Sequence, residues 1–403
     1  MQQPIALFIR DLRAGGAQRV FVNLSAGLAR RGYQVDLIVA RAEGTLCAQV
    51  DPHVHLVNLD ARGALASIPR LRRYLRTRRP TVLLSTIHYV NIAALIAARL
   101  AGRSTGDSTG RSTPRAPQGT PLRVIVREAN ILSGDTFHPN RFRDRVLLFL
   151  MRRLYRTADA VVVNARDTRL SLVQYGVVPD HQIETIPNPL DLEQIRERAA
   201  LSPAGPPVSA GPTGTVGPAG AAHPLVLGVG SLGRQKNFAL LIRAFARALE
   251  HPACETGHLV ILGEGEQRSE LQQLAVDLRI ADRVHLFGLC DNPFAWMARA
   301  DAFVLSSLWE GSPNVLAEAM ACGAPVIAAD CPGGAGELLA DGRFGLLVPC
   351  NDQPALAEAI IRIVQSPPDP EVVRSRVASF DLQSILDRYL LVMFPPEIST
   401  GSP

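Results

Sequence analysis

The only lysine of the chain lies where a strand is followed by a helix. Lys236 is the exception among 42 basic residues, since the other 41 are arginine. It follows the apolar run Leu225–Val229 and precedes a helical pattern that begins at Phe238. A compact ammonium at such a turn suits a phosphate group, because the N–H groups that open a helix also favour an anion. The alternative is a surface lysine without a ligand.

A second candidate site follows the apolar run Ala302–Leu305. Ser312 and Pro313 are typical of a helix N-cap and of the first helical residue, so a helix should begin there. The N–H groups of residues 314–316 would then point out of the helix end. This end carries partial positive charge and could bind a diphosphate.

Two glutamates accompany this helix end. Glu310 lies in the loop before it, and Glu318 lies inside the helix among apolar neighbours. A carboxylate in apolar surroundings needs hydrogen-bond partners, and the two hydroxyls of a ribose would provide them. The alternatives are a capping role for Glu310 and a solvated helix face for Glu318.

The composition excludes several classes of protein. Of 403 residues 47% are hydrophobic and 20% are charged, which is typical of a globular chain long enough for two domains. No apolar run approaches the roughly 18 residues of a membrane-spanning helix. The first residues lack the basic segment of a secretory signal, and the six cysteines form no C-x-x-C pair. We therefore expect a cytoplasmic protein with reduced thiols and no zinc site.

The positive charge is concentrated in the first half. Residues 1–187 contain 27 arginines and 13 acidic residues, whereas residues 188–403 are net acidic. Two stretches, 70–79 and 141–156, hold much of the basic charge. A helix with apolar and arginine-rich faces can rest on an anionic membrane surface, and the alternative is a helix packed on a sheet with solvated arginines outside. Neither stretch has the interleaved aromatic residues of a nucleic-acid-binding module, so we expect no nucleic-acid partner.

Alternating strands and helices must position the candidate residues. This alternation predicts parallel sheets covered by helices in two α/β domains. The strands predicted in the first half are Ile5–Ile9, Val35–Val39, Val82–Ser85, Val124–Val126, Ala160–Val163 and Ile183–Ile186. Those predicted in the second half are Leu225–Val229, Leu259–Leu262, Val284–Phe287, Ala302–Leu305, Pro325–Ala328 and Gly345–Val348.

Composition also predicts the domain boundaries. Residues 102–121 and 201–224 are rich in glycine, proline, serine and threonine, which indicates disordered insertions. The predicted domains are residues 1–187 and 188–380. Residues 381–394 predict an amphipathic helix that returns to the first domain.

The chain carries a set of motifs spread over both halves. Those of the second half are Val229-Gly-Ser-Leu-Gly-Arg-Gln-Lys-Asn237, Leu262-Gly-Glu-Gly-Glu266, Glu310-x7-Glu318, Ala319-Met-Ala-Cys-Gly-Ala-Pro-Val326 and Asp330-Cys-Pro-Gly-Gly334. Those of the first half are Gly15-Gly-Ala-Gln-Arg19, Arg127-Glu-Ala-Asn130 and Ile186-Pro-Asn-Pro189. Together they resemble the nucleotide-sugar-dependent, retaining glycosyltransferases of family 4. The resemblance runs from the first strand to the last helix and leaves out only the two insertions.

The resemblance implies a GT-B architecture, in which two Rossmann-like α/β domains face a central cleft and a C-terminal helix crosses back to the first. The first domain would bind the acceptor and the second the donor. The implied reaction moves a hexose or N-acetylhexosamine from a nucleotide-diphosphate sugar, which we expect to be UDP-linked, to a glycan or lipid-linked acceptor. Such enzymes serve cell-surface polysaccharide or lipopolysaccharide assembly, which would place this one at the inner face of the cytoplasmic membrane. No cofactor or metal is expected, and the chain contains no D-x-D triplet.

The resemblance also implies roles for single residues. Lys236 and Arg234 would bind the donor diphosphate, and Gly16, which has no Cβ, would let the first domain's loop approach the phosphates. Glu318 would bind the ribose. The expected donor-binding residues are Gly15, Gly16, Ser231, Arg234, Lys236, Gly263, Glu310, Gly311, Ser312, Asn314, Val315, Leu316 and Glu318. The expected catalytic residues are Glu310, Lys236, Arg234 and His88.

Two positions depart from the family pattern. Ser231 stands where relatives often have an arginine, so we expect Arg234 to compensate. Ala129 stands where a histidine is frequent, which leaves His88 as the candidate acceptor-side base, or else as a structural histidine. Two other readings stay open: a related nucleotide-sugar enzyme of the epimerase or glucan synthase type, and a non-catalytic nucleotide-binding protein with the same fold.

Overall fold

In the computed structural model, the described residues are 4–13, 15–102, 121–132, 137, 141–203 and 223–396. Both predicted insertions lie almost entirely outside these residues. The chain divides into two compact units, of which the first is Met1–Pro189 with Leu382–Pro403 and the second is Leu190–Asp381. Within the described ranges, no helix combines the length and the apolar character needed to cross a bilayer.

The first unit contains a seven-stranded parallel sheet. Its strands are β1 (Ile5–Ile9), β2 (Val35–Val39), β3 (His55–Asn58), β4 (Val82–Thr86), β5 (Arg123–Glu128), β6 (Ala160–Val163) and β7 (Ile183–Thr185). They lie in the order β3-β2-β1-β4-β5-β6-β7. Six of them coincide with predicted strands. Strand β3 is not predicted, because its outer residues are exposed and polar and it forms no apolar run.

Helices cover this sheet and bury its apolar side chains in two clusters. They are α1 (Gly16–Arg30), α2 (Ile68–Arg78), α3 (His88–Leu100), α4 (Phe142–Leu154) and α5 (Arg166–Gln174). One cluster joins the sheet to α2, α3 and α4, and the other joins the opposite face to α1. The strands are thus buried on both faces, as parallel strands with helical crossovers usually are.

The second unit repeats this architecture with six strands. They are β8 (Leu225–Val229), β9 (His258–Leu262), β10 (Val284–Gly288), β11 (Ala302–Leu305), β12 (Val326–Asp330) and β13 (Leu346–Pro349). The parallel sheet has the order β10-β9-β8-β11-β12-β13. The helices are α6 (Leu192–Ala199), α7 (Phe238–Ala248), α8 (Arg268–Asp277), α9 (Pro293–Met297), α10 (Asn314–Cys322), α11 (Ala335–Leu339), α12 (Gln353–Gln365) and α13 (Pro370–Val377). The predicted α/β class with two Rossmann-like domains is confirmed.

The last helix, α14 (Leu382–Met393), belongs to the first unit. It packs on α1, where a Cβ built at Gly27 would lie 2.5 Å from Leu386 Cδ1. Arg31 at the end of α1 donates hydrogen bonds to Gln383 and Asp387. The chain therefore completes the second sheet and then returns to the first unit.

Candidate functional site

The topology of the second sheet brings the two main candidate residues together. Strand β8 pairs with β9 on one side and with β11 on the other, so the strand order reverses between β8 and β11. In open α/β sheets, ligands bind at the carboxyl ends of the strands at such a reversal. Lys236 follows β8 and Glu310 follows β11, so both lie at this point.

Lys236 and Glu310 form a largely buried ion pair. Lys236 Nζ lies 2.6 Å from Glu310 Oε1, and the two side chains are only 14% and 8% exposed. The buried hydroxyl of Ser307 donates a hydrogen bond of 2.6 Å to the same oxygen. Removing one partner from such a pair is costly, because the other charge then remains buried without compensation. The ammonium and the carboxylate thus hold each other in place.

The loop after β8 is shaped to hold the lysine. Lys236 ends a short 3₁₀ turn that begins at Arg234. Its aliphatic stem lies against Gly230, where a Cβ would come within 2.9 Å of Lys236 Cε. Gly230 has a φ of +155°, and the carbonyl of Lys236 accepts a hydrogen bond of 2.8 Å from Ser306 Oγ. A side chain at position 230 would displace the ammonium.

Gly263 joins this loop to the loop after β9. A Cβ at Gly263 would lie 1.8 Å from the carbonyl oxygen of Gly230, and its φ is +151°. The Gly230 N–H donates in turn to the carbonyl of Leu262 at 3.0 Å. The close contact between the two loops is enough to require a glycine at position 263, whether or not a ligand binds there. Donor binding by Gly263 stays a prediction.

The loop that carries Glu310 is fixed by the loop after β12. The Glu310 N–H donates to the carbonyl of Pro332 at 2.9 Å, and the Gly334 N–H donates to that of Gly311 at 3.2 Å. Between them, Gly333 has a φ of +126°, and a Cβ there would come 2.2 Å from the Glu310 carbonyl oxygen. The backbone at Glu310, which follows β11, is therefore held in place by the loop that follows β12.

Helix α10 begins one residue later than the sequence predicts. Pro313 is the N-cap, with a non-helical ψ of 88°, and Asn314 is the first helical residue. The Pro313 carbonyl accepts the N–H groups of Leu316 at 3.0 Å and of Ala317 at 3.2 Å. The predicted N-cap at Ser312 is therefore wrong, and the Leu316 amide is engaged inside the helix. The N–H groups of the first two helical residues, Asn314 and Val315, come before the first hydrogen bond within the helix.

The other predicted donor-binding residues of the second unit surround this pair in sequence. Ser231 and Arg234 are exposed in the loop after β8. Gly311 and Ser312 are half-buried between Glu310 and α10, and Val315 is half-buried in its first turn. Glu318 is half-buried one helical turn before Cys322. Burial and the nearby charge of Glu318 raise the pKa of the Cys322 thiol to about 12.

Sequence reasoning missed the residues that position the pair. Ser307 contacts the Glu310 carboxylate, and Ser306 contacts the Lys236 backbone. The Gln235 side chain donates to the carbonyl of Trp309 at 2.8 Å, which ties together the loops after β8 and β11. Gln235 lies within a quoted motif, but spacing alone does not indicate that Gln235 and Ser306 have partners 74 and 70 positions away.

The candidates of the first unit lie at the corresponding reversal in its sheet. Gly15 and Gly16 follow β1, and His88 follows β4 at the start of α3. Gly15 is extended, with a φ of −175°, so its backbone does not require glycine. Close approach of Gly16 to phosphates stays a prediction. The half-buried His88 ring lies edge-on to Tyr89, with centroids 5.2 Å apart, and its Nδ1 is buried without a hydrogen-bond partner.

Two motifs of the first unit meet through a buried arginine. The Arg127 guanidinium donates to Thr86 Oγ1 at 3.0 Å and to Asn188 Oδ1. Arg127 is 1% exposed, and Asn188 is 9% exposed. This contact joins the end of β5 to the proline-flanked segment that closes the first unit.

Among the residues that the structure describes, no group of three or more histidine, cysteine, aspartate or glutamate side chains is arranged to hold a metal ion. The candidate residues bring one ammonium and one carboxylate into contact, and the same loops and helix carry a guanidinium, a second carboxylate and a helix end. Such a set can bind a phosphate-containing ligand and the hydroxyls attached to it.

Two protein families match the chain. The family described as Glycosyltransferase Family 4 matches residues 14–194, and the family described as Glycosyl transferases group 1 matches residues 223–366. The chain is a glycosyltransferase with domains of these two families. The resemblance predicted from the motifs is thereby confirmed, and so is the assignment as an enzyme.

Individual relatives agree with this assignment. The glycosyltransferase is 28% identical over 369 residues to N-acetylgalactosamine-N,N'-diacetylbacillosaminyl-diphospho-undecaprenol 4-alpha-N-acetylgalactosaminyltransferase of Campylobacter jejuni, covering 89% of each chain. It is 34% identical over 179 residues to the lipopolysaccharide core biosynthesis glycosyltransferase LpsE of Rhizobium meliloti, covering 42% of this chain and 49% of that one.

The fold also matches solved GT-B structures. The crystal structure of HepE from Anabaena in complex with UDP-glucose superposes with a TM-score of 0.73 at 20% identity, covering 96% of this chain and 97% of that chain. This likeness shows the fold and confirms the predicted GT-B class.

Proposed function

We propose that this glycosyltransferase moves a hexose or N-acetylhexosamine from a nucleotide-diphosphate sugar to a glycan or lipid-linked acceptor, with retention of the anomeric configuration. The product would enter cell-surface polysaccharide assembly. The observation that carries the proposal is the ion pair between Lys236 and Glu310 at the strand-order reversal of the second sheet. A cation fixed at this position meets the main electrostatic need of the reaction.

Breaking a glycosyl–phosphate bond leaves an oxocarbenium-like sugar and a nucleoside diphosphate that gains negative charge. Lys236 would stabilise that charge, with Arg234 nearby and the first N–H groups of α10, Asn314 and Val315, at the helix end. These groups are positioned before the reaction and need little rearrangement. We propose that they make a metal ion unnecessary.

The two glutamates would bind the sugar portions of the donor. Glu310 is already held by Ser307 and Lys236, so its carboxylate has a fixed orientation, and it would accept hydrogen bonds from hydroxyls of the transferred sugar. Glu318, one turn into α10, would accept hydrogen bonds from the ribose hydroxyls. Gly311 and Ser312 would supply backbone contacts between them.

The relatives support the proposed substrate classes. The name of the Campylobacter jejuni enzyme specifies N-acetylgalactosamine transfer to a diphospho-undecaprenol-linked sugar. HepE was crystallised with UDP-glucose. We infer that a UDP-linked donor and a lipid-linked saccharide acceptor are the first substrates to test.

The first unit would bind the acceptor. His88 lies at the carboxyl edge of its sheet and would take the proton from the attacking hydroxyl. Gly15 and Gly16, in the loop after β1, would approach the donor phosphates. The identity of the base is open to test, because the leaving phosphate can also accept this proton.

The two arginine-rich stretches of the first unit differ in what they expose. In α2 the apolar residues Leu71, Tyr74 and Leu75 are all buried, and the outer face is basic. This arrangement is that of an ordinary helix packed on a sheet with solvated arginines. The apolar residues that α2 does expose, half-buried Ile68 and exposed Pro69, lie at its start and form no row along the helix.

Helix α4 instead exposes apolar residues in one row. Phe142 is 82% exposed, Val146 is 41% exposed and Phe149 is 64% exposed. Their spacing of four and then three residues places them on one side of the helix. The exposed arginines of the same helix are Arg143, Arg145, Arg152 and Arg153. We propose that this face rests on anionic lipid at the inner side of the cytoplasmic membrane, near a lipid-linked acceptor.

A donor screen followed by product analysis tests the proposed function. The thermal unfolding temperature should rise with the true donor among UDP-, GDP- and ADP-sugars, because a ligand stabilises the state that it binds. The identified donor, labelled in its sugar, should then give a glycosylated acceptor. Release of an epimerised sugar nucleotide without acceptor, or nucleotide binding without turnover on any saccharide acceptor, would overturn the proposal.

A further inference from the structure

The turn between β4 and α3 is strained. Ile87, its central residue, has a φ of +75°, a left-handed conformation that a β-branched side chain rarely adopts. His88 follows immediately and begins α3. Strain of this kind persists only where the surroundings enforce it, and it is concentrated at functional sites. The contacts that enforce it therefore also decide where His88 lies.

A buried asparagine holds this turn. Asn91 is 0% exposed; its Oδ1 accepts a hydrogen bond of 2.7 Å from Ser85 Oγ, and its Nδ2 donates one of 2.9 Å to the carbonyl of Arg127. The Ile87 N–H donates to the same Arg127 carbonyl at 3.3 Å. The strained residue is thereby fastened to β5.

The network continues to a buried carboxylate. Asn91 Nδ2 donates to Tyr155 Oη at 3.0 Å, and Tyr155 Oη donates to Glu128 Oε2 at 2.9 Å. Glu128 Oε1 accepts the N–H groups of Ala129 at 3.2 Å and Asn130 at 3.4 Å. The three hydrogen bonds to Glu128 itself, from Tyr155, Ala129 and Asn130, are all donated to its carboxylate, which suits an ionised group.

The imidazole of His88 lies close enough to this carboxylate to influence its pKa. Glu128 is completely buried, and burial raises its pKa, whereas His88 is the strongest influence that lowers it, followed by Tyr155. The neighbouring guanidinium of Arg127 is directed to Thr86 and Asn188 instead.

The other titratable groups around His88 are Tyr89 and Arg10. Tyr89 contacts the imidazole edge-on, and Arg10, at the end of β1, shares a hydrogen bond with Tyr89 that raises the pKa of the arginine.

We propose that Glu128 is a positioning residue for transfer, which holds the His88 turn through Tyr155 and Asn91 and so keeps the imidazole where it accepts the acceptor proton. The inference rests on the proposed function. In the step, the acceptor O–H bond breaks and its proton goes to an imidazole nitrogen. The acceptor oxygen bonds the anomeric carbon, and the bond from that carbon to the phosphate oxygen breaks with its electron pair on the diphosphate.

Glu128→Gln and Tyr155→Phe test this inference, with Tyr74→Phe as the matched control. Tyr74 is also a buried tyrosine that donates to a buried carboxylate, Asp36, at 2.5 Å. We expect Glu128→Gln to lower kcat by at least about tenfold and to leave the donor KM within about twofold. Tyr155→Phe should act in the same direction, and Tyr74→Phe should change neither.

A spectroscopic measurement separates this inference from the proposed function. At fixed pH, the NMR resonances of the His88 ring should shift in Glu128→Gln and in Tyr155→Phe, because the turn that carries the ring is no longer held, whether or not an acceptor is known. If the wild-type protein transfers no sugar, the proposed function fails while this readout still applies. If Glu128→Gln and Tyr155→Phe leave the His88 resonances and kcat as in Tyr74→Phe, Glu128 has a structural role only and the inference is overturned.

Discussion

The ammonium of Lys236 is already neutralised before any donor arrives, because its Nζ lies 2.6 Å from Glu310 Oε1. The two residues are separated by 74 positions and follow different strands of the second sheet. A diphosphate that binds here must share the ammonium with the carboxylate. The pair fixes the position of the cation, and under the proposed function it would also limit the affinity for the phosphate product and favour product release.

Glu310→Gln should separate these two effects. Without the carboxylate, the ammonium is available to the diphosphate alone, so UDP affinity should rise by about three- to tenfold while the transfer rate falls. Isothermal titration with UDP and a transfer assay measure the two quantities. Glu371→Gln, which removes the partner of Arg374 from an exposed pair, is the control and should change neither. Weaker UDP binding by Glu310→Gln would mean that the glutamate does not compete with the phosphate.

Gly263→Ala should destabilise the second unit. The added Cβ would lie 1.8 Å from the Gly230 carbonyl oxygen, and the residue has a φ of +151°. We expect a loss of more than about 2 kcal/mol in the free energy of unfolding. Gly233→Ala is the matched control, because a Cβ there meets no atom within 4 Å. Urea unfolding followed by circular dichroism compares the two variants, and equal stability would contradict the loop contact.

The sequence predicts most of the second sheet because parallel strands buried on both faces appear as apolar runs. Strand β3 escapes this reasoning, since its burial is partial and its ends are polar. Lys236 could be found because arginine fills every other basic position. Ser307 could not, because its contact with Glu310 depends on how a loop folds back after β11.

The start of α10 shows a second limit of sequence reasoning. Serine followed by proline is typical of an N-cap and first helical residue, yet Pro313 itself adopts a non-helical ψ of 88°. Hydrogen bonds between the loop at Glu310 and Gly311 and the segment after β12 hold the backbone just before the helix. Tertiary contacts thus moved the helix start by one residue, which changes the amides that face a ligand.

Charge reversal on α4 should weaken membrane binding more than the same change on α2. Arg145→Glu with Arg153→Glu should lower binding to vesicles of phosphatidylglycerol and phosphatidylcholine by at least about tenfold, because each cation near an anionic surface contributes about 1 kcal/mol. Arg73→Glu with Arg76→Glu makes the same change in net charge on a helix without an exposed apolar row. Vesicle co-sedimentation provides the comparison. Equal losses from both double variants would assign binding to net charge rather than to α4.

A histidine cluster should make the second unit sensitive to acid. Burial, together with His285 and Arg283, lowers the pKa of His258 from 6.5 to about 4. The unfolded state therefore takes up a proton first as the pH falls, and stability present above about pH 6.5 is lost down to about pH 4. His258→Gln should reduce the drop in thermal unfolding temperature between pH 7.5 and about pH 4.5, and the exposed His181→Gln should leave it unchanged. The same drop in both variants would remove His258 as its cause.

The most direct test of the phosphate site is the dissociation constant of UDP for the wild-type protein and for Lys236→Ala, measured by isothermal titration with GDP and ADP in parallel. Loss of a charge-assisted contact to the diphosphate should weaken binding of the preferred nucleotide by about 10- to 100-fold. The double variant Lys236→Ala with Glu310→Gln avoids an uncompensated buried carboxylate and should show the same loss in a fully folded protein. Wild-type affinity in both variants would contradict the assignment of Lys236 to the donor diphosphate.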